Sequence, residues 1–144
     1  MKWRPANWVA LGAASGLVGV AAGAFAAHGL ADPAREWMRT GATYELFHAV
    51  AILVCASLAV GPAPRARHAP PLFLAGTLLF SGSLYAMALG APRWLGAVTP
   101  IGGLLFLAGW AVLAWAGAAR GIDTDASMRM EANERIFGKE ADEE

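Results

Sequence analysis

The apolar positions of this chain gather into four runs, at residues 8–27, 41–60, 71–90 and 101–119, separated by short segments rich in Pro, Gly and charge. The hydrocarbon core of a bilayer takes about 20 mostly apolar residues per helix, and each run has that length. Backbone polar groups in lipid must be satisfied within the chain, which selects helices over irregular structure. The pattern therefore predicts an all-α, polytopic membrane protein. Four transmembrane helices form a compact bundle from residues 1–120, and a polar tail follows over 121–144.

Between the first two runs, Asp32-Pro33 reads as a helix start, with the carboxylate capping free N–H groups and proline at the first helical position. Trp37 and Met38 with Arg35, Glu36 and Arg39 make the segment partly amphipathic. A short interfacial helix is expected, lying on the membrane face until the chain turns in near Gly41. The segment 61–71, with four prolines around Arg65, Arg67 and His68, predicts an extended connector. Beyond Arg120, apolar positions at steps of four predict a short helix over 127–137 that stops at Gly138.

The first run carries Gly12, Gly16, Gly19 and Gly23, at steps of four, three and four, so all lie on one helical face. Lipid offers little hydrophobic drive between helices, and a glycine stripe lets a second backbone come close enough for dispersion to hold it. Gly76, Gly82 and Ser83, then Gly102 and Gly109, predict smaller surfaces of the same kind on the third and fourth spans. The stripe on the first span is expected to meet another span of the same chain.

A net charge of zero conceals an asymmetry. Residues 1–120 hold eight Lys/Arg against Asp32, Glu36 and Glu45, whereas 121–144 hold three basic residues against eight acids. Lys2, Arg4, Arg65, Arg67 and Arg120 fall on one side of the four spans with the tail, and Arg35, Arg39 and Arg93 on the other. The excess of Lys/Arg marks the cytoplasmic side, so both termini are expected there. Trp3, Trp8 and Trp115 at one set of span ends and Trp37 and Trp94 at the other match an interfacial aromatic belt. Ala24-Phe25-Ala26 resembles a signal-peptidase site, but the first run exceeds the roughly 15 residues of a signal h-region and is expected to be retained. Cys55, the single cysteine, excludes a disulfide within one chain.

Polar side chains from every span converge on the end opposite the termini: His28 closes the first, Tyr44, Glu45 and His48 open the second, Ser81, Ser83 and Tyr85 lie late in the third, and Thr99 begins the fourth. Intramembrane ionisable groups face the bundle interior and are candidates for function. Tyr44, Glu45 and His48 share one helix face, and a Glu45–His48 hydrogen-bonded pair is expected to tie the second span to the third and fourth. Glu45-Leu46-Phe47-His48 also has the E-x-x-H spacing of di-iron helices, but no other span holds an acid. Haem on His28 and His48 is disfavoured by their different depths. A quinone or other small amphiphile on His48 and Tyr85 stays open. No phosphate loop, nucleophile constellation, zinc spacing or basic nucleic-acid surface is present, so no catalytic residue, metal ligand or cofactor is assigned.

The strings AFAAHGL, TYELFHAVAIL, FSGSLYAMALG and WLGAVTPIGGLLFLAGW, in order across residues 11–115, resemble the domain of unknown function 423 family, relatives of eukaryotic transmembrane protein 256. The resemblance implies a four-span bacterial inner-membrane protein, with family motifs at His28, Gly29, Tyr44, His48, Ser83, Tyr85, Thr99, Pro100, Gly102 and Gly103. It implies no chemistry, and it does not reach the acidic tail.

The function expected is a non-enzymatic inner-membrane component that accompanies a larger membrane assembly or a second copy of itself. A small quinone-, haem- or metal-linked binding protein is the alternative, and a small transporter acting as an oligomer ranks third. The expected topology has a direct test. A reporter active only in the periplasm, fused after Arg120, should be silent, and strong activity would reverse every side assignment.

Overall fold

The computed structural model describes residues 3–141; along the last helix side chains are described to residue 131, except at 121–123 and 126. Four long helices follow one another: α1 (Pro5–Gly29), α2 (Ala34–Val60), α3 (Ala69–Ala88) and α4 (Thr99–Ala141). Short 3-10 turns at Pro64–His68 and Arg93–Ala97 lead into α3 and α4. All four are long and apolar enough to cross a membrane. The α1–α2 and α3–α4 connections lie at one end, called here the two-loop end. The start of α1 and the α2–α3 connection lie at the other, the terminal end.

Each helix packs on its neighbours in sequence, α1 on α2, α2 on α3 and α3 on α4. The order is serial, with α2 and α3 inside and α1 and α4 at the edges. Burial follows that order: α2 and α3 bury a larger share of their apolar spans than α1 and α4 do. At the terminal end Trp8, Ile52, Cys55 and Phe73 form the main apolar core. Trp8, expected in the interfacial belt, is 8% exposed and stacks with Trp3 at 5.8 Å.

Three local expectations are corrected. The segment after Pro33 is helical, but it is the first two turns of α2 and not a separate interfacial helix. No proline separates it from the span, and Gly41 lies inside the helix. Asp32 does not cap: Pro33 occupies that position without a side-chain bond, and the Asp32 carboxylate lies 4.0 Å from Arg35. The 61–71 connector is folded, with Ala63 and Ala66 buried against Ala116 of α4.

The tail is also more regular than its sequence suggests. α4 continues without a break past Arg120 and Gly138 to Ala141, about 65 Å at 1.5 Å per residue. A helix nucleated by its membrane span propagates readily, and an interior glycine costs only about 1 kcal/mol against alanine. α3 ends on a left-handed glycine: Gly90 has φ 100, and Ala91 N–H donates to Ala86 O across it.

The glycines set how closely the helices approach. A methyl on Gly12 would lie 3.0 Å from Leu53, and one on Gly19 2.9 Å from Leu46, whereas Gly16 and Gly23 have ordinary space, 3.9 and 3.8 Å from Ala49 and Ala42. All four face α2, and their partners run backwards along it, so the pair is antiparallel. On the other side of the fold, a methyl on Gly102 would strike the Phe80 backbone itself, and Gly109 lies under the Phe73 ring. Gly76 takes the Phe106 ring. Gly82 faces open space and takes no part in packing.

These distances grade the glycines. Gly102→Ala should destabilise by about 2–3 kcal/mol, because a backbone cannot yield as a side chain can. Gly19→Ala should cost less, since Leu46 can rearrange. Gly16→Ala and Gly82→Ala should be neutral or gain up to about 1 kcal/mol of helix propensity. Thermal unfolding in mild detergent measures the series, and a Gly102→Ala variant as stable as Gly82→Ala would refute the grading.

Candidate functional site: a polar knot across four helices

Glu45 is the centre of the arrangement. It is 5% exposed, and its two carboxylate oxygens serve different helices. Ser15 Oγ of α1 donates to Oε1 at 2.9 Å, and Tyr85 Oη of α3 donates to Oε2 at 2.7 Å. One acid on α2 thereby ties three helices together, and among the described residues its partners are two hydroxyls and no cation.

Tyr85 reaches Glu45 because α2 is thin where the ring crosses it. Gly41 lies beneath that ring, where a methyl would fall 2.7 Å from Cε1. Ser81 Oγ donates to the Gly41 carbonyl at 2.8 Å, a second tie between α3 and α2 at the same place. Gly41 thus works as the crossing point of the two inner helices.

His48 lies one turn beyond Glu45 and serves the opposite side of the fold. Its Nδ1 is 2.7 Å from the Tyr44 carbonyl, and Trp110 Nε1 of α4 lies 3.2 Å from its Nε2. A carbonyl only accepts and an indole N–H only donates. The ring is therefore neutral, with the proton on Nδ1 and Nε2 accepting from Trp110. The imidazole lies flat on Phe106, centroids 3.5 Å apart at 7°, and Phe73 tilts against it at 5.4 Å. Both ring nitrogens are occupied.

The last link joins α3 and α4. Ser83 Oγ donates to Phe80 O at 2.9 Å and lies 2.7 Å from Thr99 Oγ1. A hydroxyl has one proton to give, so Thr99 is the donor to Ser83. Thr77 Oγ1 is buried with no partner among the described residues.

The structure brings Tyr85, Glu45 and Ser15 into one group, His48, Tyr44 and Trp110 into a second, and Ser83 with Thr99 into a third. The expected Glu45–His48 bond is absent: the two are neighbours on one helix face, but each points to a different partner helix. His28 is exposed at the end of α1 and joins none of these groups. Tyr44 is 44% exposed, and its ring lies against Phe80 at 4.5 Å. Among the described residues no three of His, Cys, Asp and Glu come together as metal ligands do.

Two members were overlooked in the sequence although a signal existed. Ser15 is the one hydroxyl residue within the first run and lies on the glycine face, where it must meet the partner helix. Trp110 lies mid-span, away from the interface that indoles prefer, which implies a buried acceptor for its N–H. Beside His48, α2 and α4 diverge around an apolar cleft of about 600 Å³, walled by Phe47, Val54 and Leu113 with Tyr44 at its edge.

Residues 22–103 match the profile of the family described as Protein of unknown function (DUF423). The chain is 46% identical over 113 residues to a UPF0382 membrane protein of Haemophilus influenzae, an alignment covering 76% of this chain and 91% of that one. It is similarly 46% identical over 109 residues to the UPF0382 inner membrane protein YgdD of Escherichia coli K12, covering 70% and 81%. A Staphylococcus epidermidis UPF0382 membrane protein is 40% identical over 111 residues, covering 74% and 90%. No solved structure matches the chain.

The knot can be dissected by substitution. Tyr85→Phe leaves a buried carboxylate oxygen without its donor and should cost about 1–3 kcal/mol. Ser15→Ala likewise strips the other oxygen of its donor and should cost a similar amount, about 1–3 kcal/mol. The double variant should be non-additive, because both hydroxyls serve one carboxylate. Unfolding in detergent provides the cycle, and strict additivity would mean that the two bonds do not share Glu45.

Proposed function

The chain belongs to the DUF423 family of membrane proteins of unknown function, and from that premise we propose a non-enzymatic structural role. In this reading it is an integral protein of the bacterial inner membrane that serves a larger membrane assembly. Its termini are cytoplasmic, residues 1–120 form the membrane unit, and the acidic segment 121–144 lies on the cytoplasmic side. The observation that carries the reading is that the two ionisable groups of the interior, Glu45 and His48, are fully engaged by partners within the protein. Both oxygens of Glu45 and Nε2 of His48 join α2 to other helices, and His48 Nδ1 is held by the Tyr44 carbonyl of its own helix. An active site keeps such groups aimed at a substrate, whereas a scaffold satisfies them internally. The relative named an inner membrane protein and the Lys/Arg distribution support the location and orientation.

A second reading is favoured by one feature, the apolar cleft between α2 and α4. Its volume of about 600 Å³ suits a small amphiphile, and the Tyr44 hydroxyl at its edge has no partner among the described residues. Haem and metal gain no such support, because His48 would have to surrender Tyr44 O or Trp110.

The experiment that separates the readings compares His48→Gln with deletion. Glutamine keeps a donor and an acceptor but lacks imidazole chemistry, so a scaffold should retain both stability and the phenotype that deletion removes. A His48→Gln protein that folds normally yet reproduces the deletion phenotype would sink the structural role in favour of ligand or proton handling. In parallel, mild extraction from native membranes should yield the chain with partner proteins at fixed stoichiometry, and recovery of the 15.0 kDa chain alone would remove the assembly role.

A further inference from the structure

At the two-loop end, α1 and α2 leave a groove of about 440 Å³. Apart from Thr43, its uncharged lining is small and apolar: Gly23, Ala26 and Ala27 of α1 and Ala42 and Leu46 of α2. Its mouth is different. Arg35 and Arg39, one helical turn apart on α2, line the groove and also line a second concavity of about 340 Å³ that holds Asp32 and Glu36. The two hollows share the arginines. From the apolar lining outward the charges alternate in sign along the chain, Arg39, Glu36, Arg35 and Asp32.

The height of this sequence in the membrane is marked independently. Trp37 lies beneath the Arg93 guanidinium at 5.6 Å, and Trp94 is exposed at the same end. Indole rings and arginines collect at the headgroup layer. Leu46 lies seven residues past Arg39, about 10 Å deeper at 1.5 Å per residue, within the acyl-chain region.

Among the described residues Arg39 is free, and Arg35 is engaged on one edge of its guanidinium. Arg35 gives its Nε to the Leu30 carbonyl at 2.9 Å, and its Nη1 lies 4.0 Å from Asp32, the limit of an ion pair. Guanidinium is the preferred partner of a phosphate because its planar donors match the oxygens in pairs. A phosphate alone would leave Asp32 and Glu36 repelling it. A phosphate followed at short reach by a primary ammonium satisfies all four charges.

We propose that this groove holds one aminophospholipid, with an acyl chain along Gly23, Ala27 and Leu46, its phosphate between Arg35 and Arg39, and its ammonium toward Asp32 and Glu36. The site is independent of the structural role proposed above. It distinguishes phosphatidylethanolamine from phosphatidylglycerol, which lacks the amine, and from phosphatidylcholine, whose quaternary nitrogen has no N–H to donate.

Native mass spectrometry of the full chain, released from detergent containing equal amounts of the three lipids, reads the occupancy directly. One phosphatidylethanolamine should be retained over each competitor by about fivefold, the worth of one or two exposed charge-assisted contacts. Arg39→Gln should abolish retention of the single lipid, and Asp32→Asn with Glu36→Gln should keep a lipid but lose the preference. Ala27→Leu, which fills the groove without touching a charge, should lower retention of all three alike. Equal retention of the three lipids by the unaltered chain, or a preference for phosphatidylglycerol, overturns the assignment. So does full competition by soluble glycerophosphoethanolamine, which would make the site one for a headgroup without a chain. A variant whose unfolding temperature matches the parent's excludes misfolding as the cause of lost binding.

Discussion

A carboxylate buried between membrane-type helices, with only hydroxyls for partners among the described residues, governs this fold. Glu45 cannot be left bare, because an unsatisfied ionisable group in hydrocarbon costs several kcal/mol. Two helices must therefore present donors to it at once. Ser15 holds α1 in register on α2, and Tyr85 holds α3 in register on the other side. Sliding either helix by one residue would remove a donor. The hydrophobic effect, which settles register in soluble bundles, is nearly silent between helices that already lie in an apolar solvent.

Close approach does the remaining work. Gly12 and Gly19 bring α1 onto α2, Gly41 admits the Tyr85 ring, and Gly102 lets α4 touch the α3 backbone at Phe80. Each contact is made of dispersion forces that are small singly and add over a tight interface. The polar links and the glycine contacts occur together: Ser15 lies on the glycine face, Ser81 bonds the carbonyl of Gly41, and the Ser83–Thr99 link lies one turn from the Gly102–Phe80 contact. Hydrogen bonds need short distances, and the glycines supply them.

The serial order of the helices leaves surfaces that a closed bundle would hide. α2 and α4 are joined by side chains, His48 on Phe106 and Trp110, and they diverge on one side into an apolar cleft. α1 has α2 as its main neighbour and leaves a groove beside it. In a membrane such hollows are filled by lipid or by another chain. The first is lined by apolar side chains with Tyr44 and His48, and the second carries Arg35 and Arg39, so their chemistry differs.

Much of this was legible in the residues. Run lengths specify four spans, because bilayer thickness and helix rise leave little freedom. Gly12, Gly16, Gly19 and Gly23 specify a packing face by periodicity alone, and the polar residues of the two-loop end are visible as a group. Periodicity says which side chains share a face of one helix; it does not say which atoms meet across two. Hence Glu45 and His48, neighbours in sequence, part company toward Ser15 and Tyr85 on one side and Trp110 on the other. Likewise Gly41, which looks like a boundary, is a crossing point, and Gly82, which looks like a packing residue, faces open space. Sequence determined the helices and the faces they offer one another, because those depend on local geometry and solvent. Partner choice depends on crossing angle and side-chain reach, properties of the helix pair, and only the tertiary structure decided it.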